Sequence, residues 1–167
     1  MLWGAISYTS KGPLIRLDLD GKDEQTDGKK QGNGLNGQKY ATQVINGPLS
    51  GFIHDLEAEN LAEFRVVKDG APAHRSRIAK LARAAAGITS HPHPPNSPEV
   101  SPIENVWNDL KKRIAAIPGA HSSVENVWAA AQKVWNEFLE KDILQHTESM
   151  HARVLALKAA HGYHIDF

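Results

Sequence analysis

The chain has 167 residues, 41% of them hydrophobic, enough to bury one substantial core and too few to suggest two full domains, so residues 1–167 read as a single domain. Its 19 Lys and Arg balance 19 Asp and Glu at a sequence pI near 7.1, which excludes a global electrostatic grip on nucleic acid and leaves only local patches. Zero cysteines exclude disulfides and thiolate metal sites, no apolar run approaches the roughly 20 residues of a membrane span, and the first residues lack a basic stretch followed by an apolar core, so a soluble intracellular protein is the expectation.

In chain order, Leu2 to Tyr8 and Leu14 to Leu19 are short apolar or alternating runs, and Ser10-Lys11-Gly12-Pro13 between them reads as the turn of an antiparallel hairpin. Residues 20–38, rich in glycine and charge, read as a surface loop. Tyr40, Val44, Ile45, Leu49, Phe52, Ile53 and Leu56 recur at helical spacing and predict a core-facing helix kinked at Gly47-Pro48. Phe64-Arg65-Val66-Val67 predicts a buried strand that delivers Asp69 to its C-terminal end before a Gly-Ala-Pro turn. The next helix shows an apolar face of Ile78, Leu81, Ala82 and Ala85, with Arg75, Arg77, Lys80 and Arg83 on the remainder and Gly87 as its stop. Ile88 to His91 predicts a short strand. Beyond it the pattern is helical throughout: Ile103, Trp107, Leu110 and Ile114; then Val124, Val127, Trp128, Ala131, Val134 and Phe138; then one last helix with Ile143, Thr147, Met150, Val154 and Leu157.

Two acids stand out. Asp69 lies at a strand end, and Glu104 opens a helix whose start is marked by Ser101 as N-cap and Pro102 at the first helical position, so two oxygen ligands on rigid elements could share divalent cations. The duller reading of Glu104 is a capping box, its carboxylate bonded back to the Ser101 amide. His74 either lines the same cleft as Asp69 or begins the following helix. His91 with His93, and His161 with His164, lack the further ligands that zinc requires. The run from Asp18 through Asp20 fails as a calcium loop, because Lys22, Asp23 and Lys29 occupy positions that need an oxygen ligand, a glycine and a glutamate. Two basic groups, Arg75-Arg77-Lys80 with Arg83 and Lys111-Lys112-Arg113, could contact DNA phosphates; solvated helix faces are their ordinary role.

The words DGAPAH and SPEVSPIENVW, with 34 residues between Asp69 and Glu104, resemble the second and third acids of the mariner-type DDE transposase superfamily. Trp3-Gly4-Ala5-Ile6 with Gly12-Pro13-Leu14, Ser149 to Arg153, and His161-Gly162-Tyr163 extend that resemblance over nearly the whole chain, while Gly70, Asn96 and Glu99-Val100-Ser101 depart from the usual pattern. The resemblance implies a ribonuclease H-like α/β fold with a helical C-terminal part. It also implies Asp69 and Glu104 as catalytic metal ligands, Mg2+ or Mn2+ as cofactor, DNA as substrate, a possible homodimer, no membrane, and a nuclear location in a eukaryote. Relatives carry a first acid on a central strand ahead of the WGAI strand, and that strand is expected to be missing here. The expectation is therefore a partial catalytic domain, inactive as this chain, or alternatively a non-catalytic module that binds nucleic acid or protein.

Overall fold

The computed structural model describes residues 1–19, 34–94 and 97–163; the expectations placed on Asp20, Lys22, Asp23, Lys29, Asn96 and His164 lie outside the described residues. The chain divides into two compact units, Met1–Gly4 with Ile15–Asn96 and Ala5–Leu14 with Ser97–Phe167.

The hairpin consists of β1 (Leu2–Ile6) and β2 (Lys11–Arg16). Its turn closes with the Ser7 amide donating to the Ser10 carbonyl at 2.8 Å, so Gly12 and Pro13 lie inside β2 instead of forming the turn.

In the first unit, α1 (Gly37–Tyr40) runs into a π-helical segment (Ala41–Leu49) and then α2 (Ser50–Asn60). Asn36 caps the start, its Oδ1 accepting from the Lys39 amide at 2.8 Å. The interruption predicted at Gly47-Pro48 takes the form of this π segment, which contains Pro48. Proline has no amide to donate and its ring opposes the carbonyl four residues back, and wider pairing relieves both conflicts without ending the helix. The predicted inward face is observed: Tyr40, Val44, Ile45, Leu49, Ile53 and Leu56 are buried. Val44 and Ile45 are 0% exposed, and burying side chains of this size contributes about 1.5–3 kcal/mol each. Gln43 on the same helix bonds the backbone of Asp18 twice, accepting from its amide at 2.7 Å and donating to its carbonyl at 2.8 Å.

A parallel pair follows, β3 (Arg65–Val66) with β4 (Thr89–Ser90), in register Arg65 to Thr89 and Val66 to Ser90. The predicted strand is present, but it is only partly buried: Phe64 and Val66 pack against the core of this unit, while Val67 is 50% exposed. Between these strands lie α3 (Pro72–Arg75) and α4 (Arg77–Ala85), separated by Ser76, whose hydroxyl accepts from the Ala79 amide at 3.1 Å. The face of α4 that points inward differs from the one predicted. Ile78 and Leu81 are exposed, whereas Ala79 is fully buried and Arg83 is 6% exposed. Small alanines permit close helix approach, and the long arginine reaches a carbonyl acceptor inside.

The second unit is helical: a 3-10 turn (Pro98–Val100), α5 (Pro102–Ala115), α6 (Val124–Glu137), α7 (Glu140–Glu148) and α8 (Met150–Ala159). Its core joins Val106, Leu110 and Ile114 of α5 to Ala130, Ala131, Val134 and Trp135 of α6, with Phe138 and Ile143. The Trp135 ring lies 5.7 Å from Trp107 and 5.9 Å from Phe138, and its indole N–H donates to the Gly12 carbonyl at 3.0 Å. Lys11 is fixed as well, its ammonium donating to the carbonyls of Trp135, Asn136 and Phe138. The single last helix of the prediction is two helices meeting at Ser149, and Val154, predicted inside, is exposed while Arg153 is buried.

Candidate functional site

Asp69 sits three residues beyond the end of β3 and three before the start of α3. Its Oδ1 accepts from the Ala71 amide at 3.0 Å, the local turn that short acidic side chains make two residues ahead, and it lies 2.5 Å from Nδ1 of His74. Both contacts fall on one oxygen. Burial pushes the Asp69 carboxyl up, but the Ala71 amide and the neighbouring His74 together outweigh it, and the net direction is down. Asp69 is therefore ionised at neutral pH, with a side chain 64% exposed and no protein partner for Oδ2 among the described residues.

The structure brings His74 to Asp69 and resolves the two readings of that histidine in favour of both: it lies within α3 and beside the acid. Its side chain is 14% exposed, and burial holds its pKa down despite the carboxylate. The ring packs on Tyr40 with centroids 4.2 Å apart, and Arg83 donates from Nη2 to the His74 carbonyl at 3.1 Å. Tyr40 is 2% exposed; burial pushes its phenol up to about 12, so it stays protonated at any working pH. Tyr40 stood out in the sequence only as core, and Arg83 only as one of the basic residues that could contact DNA phosphates, a reading its burial corrects. The usable signal was Ala79 and Ala82 beside Arg83, a small-residue stripe that marks the inward side of α4.

Lys68, also passed over in the sequence, is held below its ordinary pKa by burial and by Arg83, partly offset by Asp69, with Lys80 and Arg75 adding to the depression. These mutual effects place a positive field around the Asp69 carboxylate. Arg75, Arg77 and Lys80 are exposed.

Glu104, in the second unit, is exposed in the first turn of α5, with Pro102 at the first helical position as predicted. The predicted capping box does not form: the Ser101 hydroxyl makes no cap bond, and Ser101 takes the Glu104 amide through its carbonyl at 3.1 Å. Glu104 is consequently not tied back to the Ser101 backbone. The approach to α5 is held by buried Arg153 of α8, which donates to the Glu99 carbonyl at 3.3 Å and to the Ser149 hydroxyl at 2.9 Å. Of the second basic group, Lys111 and Lys112 are exposed, whereas Arg113 pairs with Asp142 at 2.7 Å and lies 4.3 Å from the Phe138 ring centroid. His91 and His93 remain without a third ligand; among the described residues no three His, Asp or Glu gather as a metal cluster. The donor chemistry at Asp69 fits a hard divalent cation, which takes one or two carboxylate oxygens and keeps much of its water.

The sequence model of the DDE superfamily endonuclease family matches residues 41–127, just over half of the chain, and the chain belongs to that family. Over 98% of its length it is 25% identical to the Transposable element Tcb1 transposase of Caenorhabditis briggsae, and it spans about half, 52%, of that curated relative. Its fold matches the catalytic domain of Mos1 mariner transposase with a TM-score of 0.75 at 17% identity, covering 99% of this chain and 75% of that one. The Mos1 catalytic domain with raltegravir and Mg matches at 0.73, also at 17% identity, covering 99% and 76%. The fold is thus ribonuclease H-like, and the expected resemblance to a mariner-type DDE transposase catalytic domain holds. No described helix is long and apolar enough to cross a membrane.

Proposed function

We propose that the chain is part of a DDE transposase catalytic domain, whose chemistry is cation-dependent cleavage and joining of DNA. The observation that carries this reading is the Asp69 carboxylate, ionised at a strand end with Oδ1 bound to the protein and Oδ2 open. Asp69 would hold one cation and Glu104 another, with Mg2+ or Mn2+ as the hard ions suited to carboxylates. Such ions, when bound, activate a water or a 3′-hydroxyl and stabilise the oxygens entering and leaving phosphorus in an in-line displacement. The chain's own part is to fix the two carboxylates and to hold the DNA backbone. Exposed Lys and Arg supply sequence-independent phosphate contacts, and Arg75, Arg77, Lys80, Lys111 and Lys112 are the candidates. Arg113 is the weakest of the original group, because Asp142 already engages it. Work on chromosomal DNA puts a eukaryotic version in the nucleus.

The carboxylates of this sequence that match acids of the family's motifs are two, Asp69 and Glu104, and the chain by itself is proposed to be inactive. Incubating purified chain with supercoiled plasmid and Mg2+ or Mn2+ tests this. The expected result is no nicking above background; nicking that disappears in Asp69→Ala overturns the inactivity and establishes the endonuclease.

A further inference from the structure

We propose that His74 is a positioning residue for Asp69, turning the carboxylate so that Oδ1 faces the protein and Oδ2 is left for a divalent cation. The inference rests on the reading of Asp69 as a cation ligand. An aspartate with a side chain 64% exposed has no packing to choose its rotamer. The local turn bond from the Ala71 amide already serves the backbone, so the additional contact from His74 to the same Oδ1 acts on the orientation of the carboxylate.

His74 can do this because it is itself held from two sides. Its ring lies against Tyr40, which is 2% exposed, with an interplanar angle of 42°. Its carbonyl is fixed by Arg83, 6% exposed, whose other terminal nitrogen has no partner among the described residues. Burying a guanidinium with one nitrogen unsatisfied costs stability, and the bond that Arg83 does make goes to the residue that touches the acid. A rigid path therefore runs from the core of the first unit to one oxygen of Asp69. Carboxylates that bind metals are oriented in this way by hydrogen bonds behind them, and losing such a partner typically weakens metal binding about 10–100-fold.

The test is Mn2+ binding to the whole chain, followed by the electron paramagnetic resonance of free Mn2+, for wild type, Asp69→Asn, His74→Phe and His74→Asn, with metal-free thermal unfolding of each. Phenylalanine keeps a ring against Tyr40 and removes the N–H donor; asparagine returns an N–H near the place of Nδ1. The expected result is an Asp69-dependent site that His74→Phe weakens about tenfold or more and His74→Asn largely restores, without a matching order in thermal stability. Binding that Asp69→Asn abolishes but His74→Phe leaves unchanged overturns the positioning role alone. So does a His74→Asn no better than His74→Phe. Mn2+ binding indifferent to Asp69→Asn, or absent from wild type, removes the reading of Asp69 as a ligand and this inference with it.

Discussion

Lys11 offers a sharp test of how the hairpin is joined to α6. Its ammonium has three donors, and three carbonyls receive them: Trp135 at 2.6 Å, Asn136 at 2.7 Å and Phe138 at 2.8 Å. These carbonyls end α6, where the helix leaves acceptors unpaired and carries partial negative charge. One charge-assisted bond is worth about 1.5–3 kcal/mol, but the three share a single charge and the Asn136 contact is exposed, so they do not add. With a helix-terminus term of about 0.3–1 kcal/mol included, Lys11→Met should destabilise the chain by roughly 2–3 kcal/mol. Methionine keeps the apolar stem, so the loss reports the ammonium and not the packing. Lys11→Arg should recover less than half, because a planar guanidinium cannot converge on three carbonyls around one point. Urea unfolding followed by tryptophan fluorescence reads the effect, since Trp107, Trp128 and Trp135 all lie in the same unit as Lys11. A Lys11→Met variant within about 0.5 kcal/mol of wild type, or an arginine variant equal to wild type, would refute the reasoning.

Gly37→Ala would drive a methyl into the Ser76 hydroxyl and to within 2.6 Å of its Cβ, so the cap of α4 must shift; a loss of about 1–3 kcal/mol is expected in chemical denaturation. Adding Ser76→Gly, which removes the clash and remains a fair cap, should recover most of it, and additive losses would count against this packing. The pair of Asp142 with Arg113 should appear in the acid limb of stability. Burial raises the Asp142 carboxyl, but the Leu139 amide and Arg113 bring it net below its ordinary 3.8. Its contribution is thus present above 3.8 and lost as pH falls through the depressed folded value. The stability gap between wild type and Asp142→Asn should be wide at about pH 6 and shrink towards about pH 2.5; a constant gap would sink the assignment.

Much of the site region could be read from residue order alone. Valines running into Asp-Gly-Ala-Pro announced a strand end with an acid beyond it, and Ser-Pro ahead of an apolar periodic run announced α5 with Glu104 in its first turn. These are local signals, carried by turn and cap chemistry. What failed depended on partners distant in sequence. Ile78 and Leu81 outrank Ala79 and Arg83 on any hydrophobicity scale, yet close packing favoured the small residue and a carbonyl acceptor drew the arginine inward. One miss was local: the Ser101 amide that a capping box at Glu104 would engage donates instead to the Pro98 carbonyl at 3.0 Å. His74 was ambiguous because nothing in its own neighbourhood announces Tyr40 beneath it.

Gln43 has a consequence for how this chain meets copies of itself. At Asp18 a single side-chain amide satisfies both backbone groups that a neighbouring strand would otherwise pair with. An unpaired edge is a template on which another polypeptide can add, and adding there would first require evicting this amide. Two residues past the end of β2, the helix thereby closes this position to a further strand, and it does so with a glutamine side chain in place of a strand, a charge or a proline.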